Sequence, residues 1–134
     1  SVFELDSTDL KILKKLQTQA RISNIDLAGE VGISASACLR RVKELENNGV
    51  IDKYVTIINP FVLGLGVTVM VSVTLEKQVE KALESFEKAV SEWPEIMETY
   101  LMTGDSDYLL RVVISDLPAY EKFLMERLTK LPGI

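Results

Sequence analysis

The stretch Val31-Gly32-Ile33-Ser34-Ala35-Ser36-Ala37-Cys38-Leu39-Arg40-Arg41-Val42-Lys43-Glu44-Leu45-Glu46-Asn47-Asn48-Gly49 decides how the first half of the chain folds. Gly32 is a natural stop for one helix, and Ser34 can cap the next, which runs to about Asn48 and ends before Gly49. Only Gly32-Ile33-Ser34 separates the two helices. Such a tight glycine-containing connection is helix-turn-helix geometry. At about 100° per residue, Cys38, Val42, Leu45 and Gly49 fall in one stripe about 60° wide. Ser36, Arg40, Lys43 and Asn47 fall in an opposite band of about the same width. Arg41 lies beside the apolar stripe, placed to brace the helix or to touch a phosphate.

Working outward, Ser23 can cap the preceding helix, which carries Leu27, Ala28 and Val31. Asp6 or Ser7 can cap a first helix, with Leu10, Leu13, Leu16 and Ala20 along one face. The β-rich stretch 51–58 suits a wing or a strand leading out of the domain. Asn59-Pro60 favours a turn and divides the chain into residues 1–59 and 60–134.

The second part alternates strands and helices. Val67, Val69, Val71, Val73 and Leu75 point one way, with Thr68, Ser72 and Thr74 on the other. An amphipathic helix follows, with Val79, Leu83, Phe86 and Val90 on one stripe and Trp93-Pro94 at its end. Ile96 to Thr103 and Asp107 to Ser115 form a hairpin around Gly104-Asp105-Ser106. A last helix follows Asp116, with Pro118 in its first turn and Leu117, Tyr120, Leu124, Leu128 and Leu131 as the expected buried stripe. The order β-α-β-β-α lacks one strand of a ferredoxin-like βαββαβ unit. That strand would begin where Leu131-Pro132-Gly133-Ile134 stands, so it is expected to be missing from this chain. The fold class is α+β, a winged helix-turn-helix domain followed by a ferredoxin-like domain.

Composition narrows the chemistry. The chain has 134 residues, 47% hydrophobic and 26% charged, with no His and one Cys. The absence of His removes the commonest general base and metal ligand. No phosphate loop occurs, and Gly64-Leu65-Gly66 precedes a strand rather than opening a helix. An enzyme and a metal site are therefore not expected. Cys38, alone and on an apolar stripe, reads as a core residue and suits a reducing cytoplasm. No apolar run is long enough to span a bilayer. The net charge of -5 falls entirely on residues 60–134, while residues 1–59 balance eight basic against eight acidic side chains. A neutral half can still bind duplex DNA if its cations share a face.

Two constellations carry the functional reading. On the third helix, Arg40 can pair with guanine and Asn47 with adenine, while Ser36 and Lys43 reach bases or phosphates. Ser34 and the free N–H groups at the helix start can hold a phosphate. In the second domain, Thr103-Gly104-Asp105-Ser106-Asp107 offers two carboxylates for an ammonium group, with hydroxyls from Thr103 and Ser106. Tyr100, Met102 and Tyr108 could line an apolar pocket beside it. Gly-Asp turns also join strands that bind nothing. A competing reading makes the chain a metabolite-sensing protein-interaction module that does not bind DNA.

The chain resembles the Lrp/AsnC (feast/famine) transcription regulators over nearly its whole length. Leu5-Asp6, Arg21-Ile22-Ser23, Val31-Gly32-Ile33-Ser34, Cys38-Leu39, Arg41-Val42, Leu45-Glu46, Gly49-Val50-Ile51, Gly104-Asp105, Asp107-Tyr108-Leu109-Leu110 and Leu131-Pro132-Gly133 carry the likeness. The resemblance implies a DNA-binding regulator that pairs through its second domain into dimers, with octamers of four dimers common. It also implies a free amino acid as effector, here a small apolar one such as leucine or methionine, and no other cofactor.

Overall fold

In the computed structural model, which describes residues 3–134, the chain forms two compact units that divide between Ile57 and Ile58. The first holds helices α1 (Ser7–Thr18), α2 (Asn24–Val31) and α3 (Ala35–Asn47). Each start is capped by a side chain. Asp6 accepts from the Asp9 N–H in a reciprocal capping box, Ser23 from Asp26 and Ser34 from Ala37. These bonds satisfy amides that the helix itself leaves without partners. Gly32 ends α2 with φ +82°, a conformation that glycine adopts without a Cβ penalty. Its N–H and that of Ile33 both donate to the Ala28 carbonyl, which turns the chain sharply into α3.

Ile12, Leu27, Ala28, Cys38 and Leu45 form the core of this unit, with Leu13, Leu16, Val31, Val42 and Ile51 packed around it. Burial raises the pKa of the Cys38 thiol, which keeps it neutral and unreactive. Residues 51–58, read as a wing or as a strand leading out of the domain, carry no strand in this chain alone. They form no ladder among the described residues, and Tyr54, Val55, Ile57 and Ile58 are exposed. A strand needs a neighbour to take its N–H and C=O groups, and this unit is otherwise helical.

The second unit contains β1 (Val67–Val73), α4 (Glu80–Ser91), β2 (Ile96–Leu101), β3 (Tyr108–Ile114), α5 (Leu117–Glu126) and a 3-10 turn over Leu128–Lys130. The three strands form an antiparallel sheet in the order β1-β3-β2. β3 lies in the centre, and Tyr108, Leu110, Val112 and Ile114 turn toward the core. Phe86 from α4 stacks on Tyr108 with centroids 4.7 Å apart, and Trp93 meets Phe123 edge-on at 5.7 Å. Three strands with helices over one face make the unit α+β.

The stripe of α5 differs from expectation. Phe123 is buried, while Leu117 is 63% exposed. Leu117 lies about 120° around the helix from Phe123, so the face centred on Tyr120 and Phe123 leaves it outside. Leu117 opens the helix, and Ala119, Tyr120, Phe123 and Leu124 beyond it make the contacts with the core.

Candidate nucleic-acid interface and effector loop

The polar ridge of α3 faces outward. Ser34, Ser36, Arg40, Lys43 and Asn47 are exposed, whereas Cys38 and Leu45 are buried and Val42 is half-buried. Arg40 pairs with Glu44 one turn on, at 3.0 Å, and both side chains reach solvent. An exposed pair of this kind contributes little and exchanges readily for a stronger partner. Ser34 Oγ accepts from the Ala37 N–H at 3.2 Å and lies 3.3 Å from Ser36 Oγ.

Arg41 stands apart from the ridge. Its Nη1 donates to Asp6 Oδ2 at 2.7 Å and Asp9 Oδ1 at 3.1 Å. Hydrogen bonding to these carboxylates raises the Arg41 pKa, and the same contact lowers that of Asp6. Of the six side chains expected at the DNA surface, Arg41 alone is held in this way. Two further residues were missed. Asn24 Nδ2 donates to the Ala35 carbonyl at 2.7 Å, clamping the start of α2 to the start of α3. Leu39 is exposed beside the ridge and presents an apolar surface of the kind that can meet a thymine methyl. Neither follows from the apolar pattern, because one is a contact between helices and the other interrupts a polar face.

The expected effector residues do not form one pocket. Tyr100 pairs with Leu109 across β2 and β3, while Tyr108 occupies the neighbouring register position. Adjacent strand residues point to opposite faces, so the two tyrosine rings are on opposite sides of the sheet. Tyr108 is fully buried against Phe86, on the core side of the sheet, rather than beside the exposed part of the loop where it was expected. Tyr100 is exposed and its hydroxyl donates to Glu98, which also pairs with Arg111 at 2.8 Å. Met102, Thr103, Gly104 and Asp105 are exposed, and Ser106 and Asp107 are half-buried. Gly104 turns at φ +116°. Asp107 is engaged, since its Oδ2 accepts from the main-chain N–H of Leu75 at 2.8 Å and from the side-chain Nε2 of Gln78 at 3.2 Å. A separate, mostly apolar cavity of about 360 Å³ is bounded by Leu75, Ala82, Phe86, Leu131 and Pro132, with Glu76 and Lys77 at its edge. None of residues 100–107 lines it.

Among the described residues, no group of His, Cys, Asp and Glu side chains could hold a metal ion, and no helix is long and apolar enough to cross a membrane.

Family models match both parts of the chain. A winged helix-turn-helix DNA-binding model covers residues 5–52, and the Lrp/AsnC ligand binding domain covers residues 68–134. The leucine-responsive regulatory proteins of Klebsiella pneumoniae and Escherichia coli K12 are each 42% identical over 131 residues, 98% of this chain and 80% of theirs. A solved transcriptional regulator from Neisseria meningitidis, in complex with L-Met, matches with TM-score 0.92 and 35% identity over 97% of this chain and 84% of its own. An AsnC family transcriptional regulator from Agrobacterium tumefaciens matches with TM-score 0.91 and 40% identity, covering 96% and 84% of the respective chains. These relatives are regulators rather than enzymes. With a helix-turn-helix whose polar ridge is exposed and a ligand-binding domain behind it in sequence, the chain belongs to the Lrp/AsnC family of DNA-binding transcriptional regulators.

Proposed function

We propose that this chain regulates transcription in the cytoplasm in response to a small apolar amino acid, leucine or methionine. The outward ridge of Ser36, Arg40, Lys43 and Asn47 is the observation that carries the DNA-contacting half of this reading. A homodimer would set two copies of α3 in successive major grooves of a roughly palindromic site. Larger assemblies, such as an octamer of four dimers, follow from the family likeness. Ser34 and the first amides of α3 would receive a phosphate.

The effector reading rests on the loop 102–106, exposed over residues 102–105, and on the L-Met complex of the Neisseria meningitidis regulator. Asp105 is the freer anion for the ligand's ammonium. Thr103, Ser106 and the backbone at Gly104 would serve its carboxylate, and Met102 and Tyr100 would flank its side chain. Asp107 supports the loop from behind and can add its second oxygen. Tyr108 drops out of the ligand set. A ligand bound here acts by favouring one assembly state or one placement of the DNA-binding units, with a coupling of roughly 1–3 kcal/mol.

The deciding experiment is calorimetry with leucine, methionine and a polar amino acid, paired with DNA titrations across a salt series. Saturable binding of an apolar amino acid that shifts DNA affinity supports the reading. Steep weakening of DNA binding with salt supports phosphate contacts. DNA affinity that ignores every amino acid would refute the effector half alone.

A further inference from the structure

The bond between Arg41 and the start of α1 bears on how the DNA-reading helix is held, and it rests on the placement of that helix in the groove. Each of the two carboxylates divides its oxygens between two tasks. Asp6 Oδ1 accepts from the Asp9 N–H at 2.8 Å and Asp9 Oδ2 from the Asp6 N–H at 3.2 Å, closing the capping box. The other oxygens, Asp6 Oδ2 and Asp9 Oδ1, both take Arg41 Nη1. Asp9 is only 5% exposed, so its carboxylate relies on protein partners rather than on solvent in the folded chain. Nη1 is thereby committed to the start of α1 and could not turn to a DNA phosphate without abandoning a nearly buried carboxylate.

We propose that Arg41 is a positioning residue. It ties the middle of α3 to the N-terminus of α1, sets the angle at which Ser36, Arg40, Lys43 and Asn47 meet the base pairs, and makes no DNA contact of its own. A small rotation of α3 misplaces bidentate base contacts, which tolerate little error, far more than it disturbs flexible phosphate contacts. The bracket therefore governs discrimination between sequences rather than general attraction to DNA.

The test uses the full chain and two duplexes, one selected by the wild-type protein from a random-sequence library and one of the same composition in scrambled order. Affinities are measured over a salt series at temperatures where each variant is folded. Arg41→Ala, Arg41→Lys and the double variant Asp6→Asn with Asp9→Asn are compared. Each is expected to lose about tenfold or more on the selected duplex while changing by less than about twofold on the scrambled one, with the wild-type salt slope retained. Arg41→Lys keeps the charge and serves if Arg41→Ala does not fold, because the lysine side chain is one atom shorter and its ammonium does not reach the position of Nη1 between Asp6 and Asp9.

A salt slope lower by about one, with both duplexes weakened alike, would make Arg41 a phosphate contact and overturn the proposal. So would tighter binding of both duplexes by the double variant, in which the cation is set free. An unchanged ratio between the duplexes in the folded variants would also overturn it. Failure of the wild type to prefer any duplex would remove the DNA-reading role of α3 and the bracket with it. Failure confined to the variants removes the bracket alone.

Discussion

Asp107 closes the end of β1 through Leu75: its Oδ2 accepts from the Leu75 N–H at 2.8 Å while its own N–H donates to the Val73 carbonyl at 2.9 Å. The loop that follows β2 is thus anchored at its last residue and free at Asp105, for which no side-chain hydrogen bond is found among the described residues. Substituting the two aspartates separates ligand binding from support. Asp107→Ala should destabilise the second unit by about 1–3 kcal/mol, because it strands a backbone donor. Asp105→Ala should change stability by no more than about 0.5 kcal/mol. Both should weaken leucine or methionine binding in calorimetry. An Asp105→Ala protein that binds as tightly as wild type would remove the proposed ammonium partner.

Glu44 holds the Arg40 guanidinium that the proposed reading assigns to a base. Arg40→Ala should weaken binding to a selected operator by about 1–3 kcal/mol and relax preference at one base pair. Glu44→Gln frees Arg40 from its neighbour, and operator affinity should rise by no more than about 1 kcal/mol, the scale of an exposed pair. Fluorescence titration of both variants against operator and mutated operator checks the assignment. An Arg40→Ala protein with undiminished affinity would remove Arg40 from the reading set.

Local pattern and chain-distant contact divide what the sequence disclosed from what it hid. Cys38, Val42 and Leu45 lie on one stripe, so the buried side of α3 could be drawn from periodicity, and Ser23, Ser34 and Gly32 marked the ends of the helices. The alternation from Val67 to Val73 likewise fixed which side of β1 faces inward. Other features depend on where distant residues arrive. Tyr108 looked like a pocket residue because it adjoins Asp107, yet strand alternation against β2 and packing by Phe86 put it in the core. The partners of Arg41 are more than thirty positions away, so its angle on α3 suggested a brace without naming Asp6 and Asp9. Residues 51–58 have strand-forming composition, but composition supplies no neighbouring strand.

Tyr108 also gives the second unit an alkaline limit. Burial, with help from the Glu87 carboxylate, pushes its phenol up to about 12. The folded state therefore favours the neutral ring. Its contribution is fully present below the ordinary tyrosine value near pH 10 and is lost as pH rises toward 12, amounting to on the order of 3 kcal/mol at most. Ultraviolet titration should show a tyrosine ionising near pH 12, together with loss of the β-sheet signal. Tyr108→Phe should remove that late phase while keeping the stack on Phe86.

At the acid end, the carboxylate that caps α1 makes one contribution to the first unit. The Arg41 guanidinium, followed by the Asp9 N–H, holds Asp6 below its usual range. A depressed folded value stabilises the charged form, so this contribution is fully present above about pH 4 and disappears as pH falls through the lower folded value. Acid should consequently release the bracket on α3 and fray the start of α1 together. Nuclear magnetic resonance titration should place the Asp6 carboxyl below an ordinary aspartate, with the Arg41 side-chain signal moving at the same midpoint. Arg41→Ala should return Asp6 toward its usual range and move the acid unfolding of α1 to higher pH. Independent midpoints for Asp6 and Arg41 would mean that the ion pair does not persist in solution.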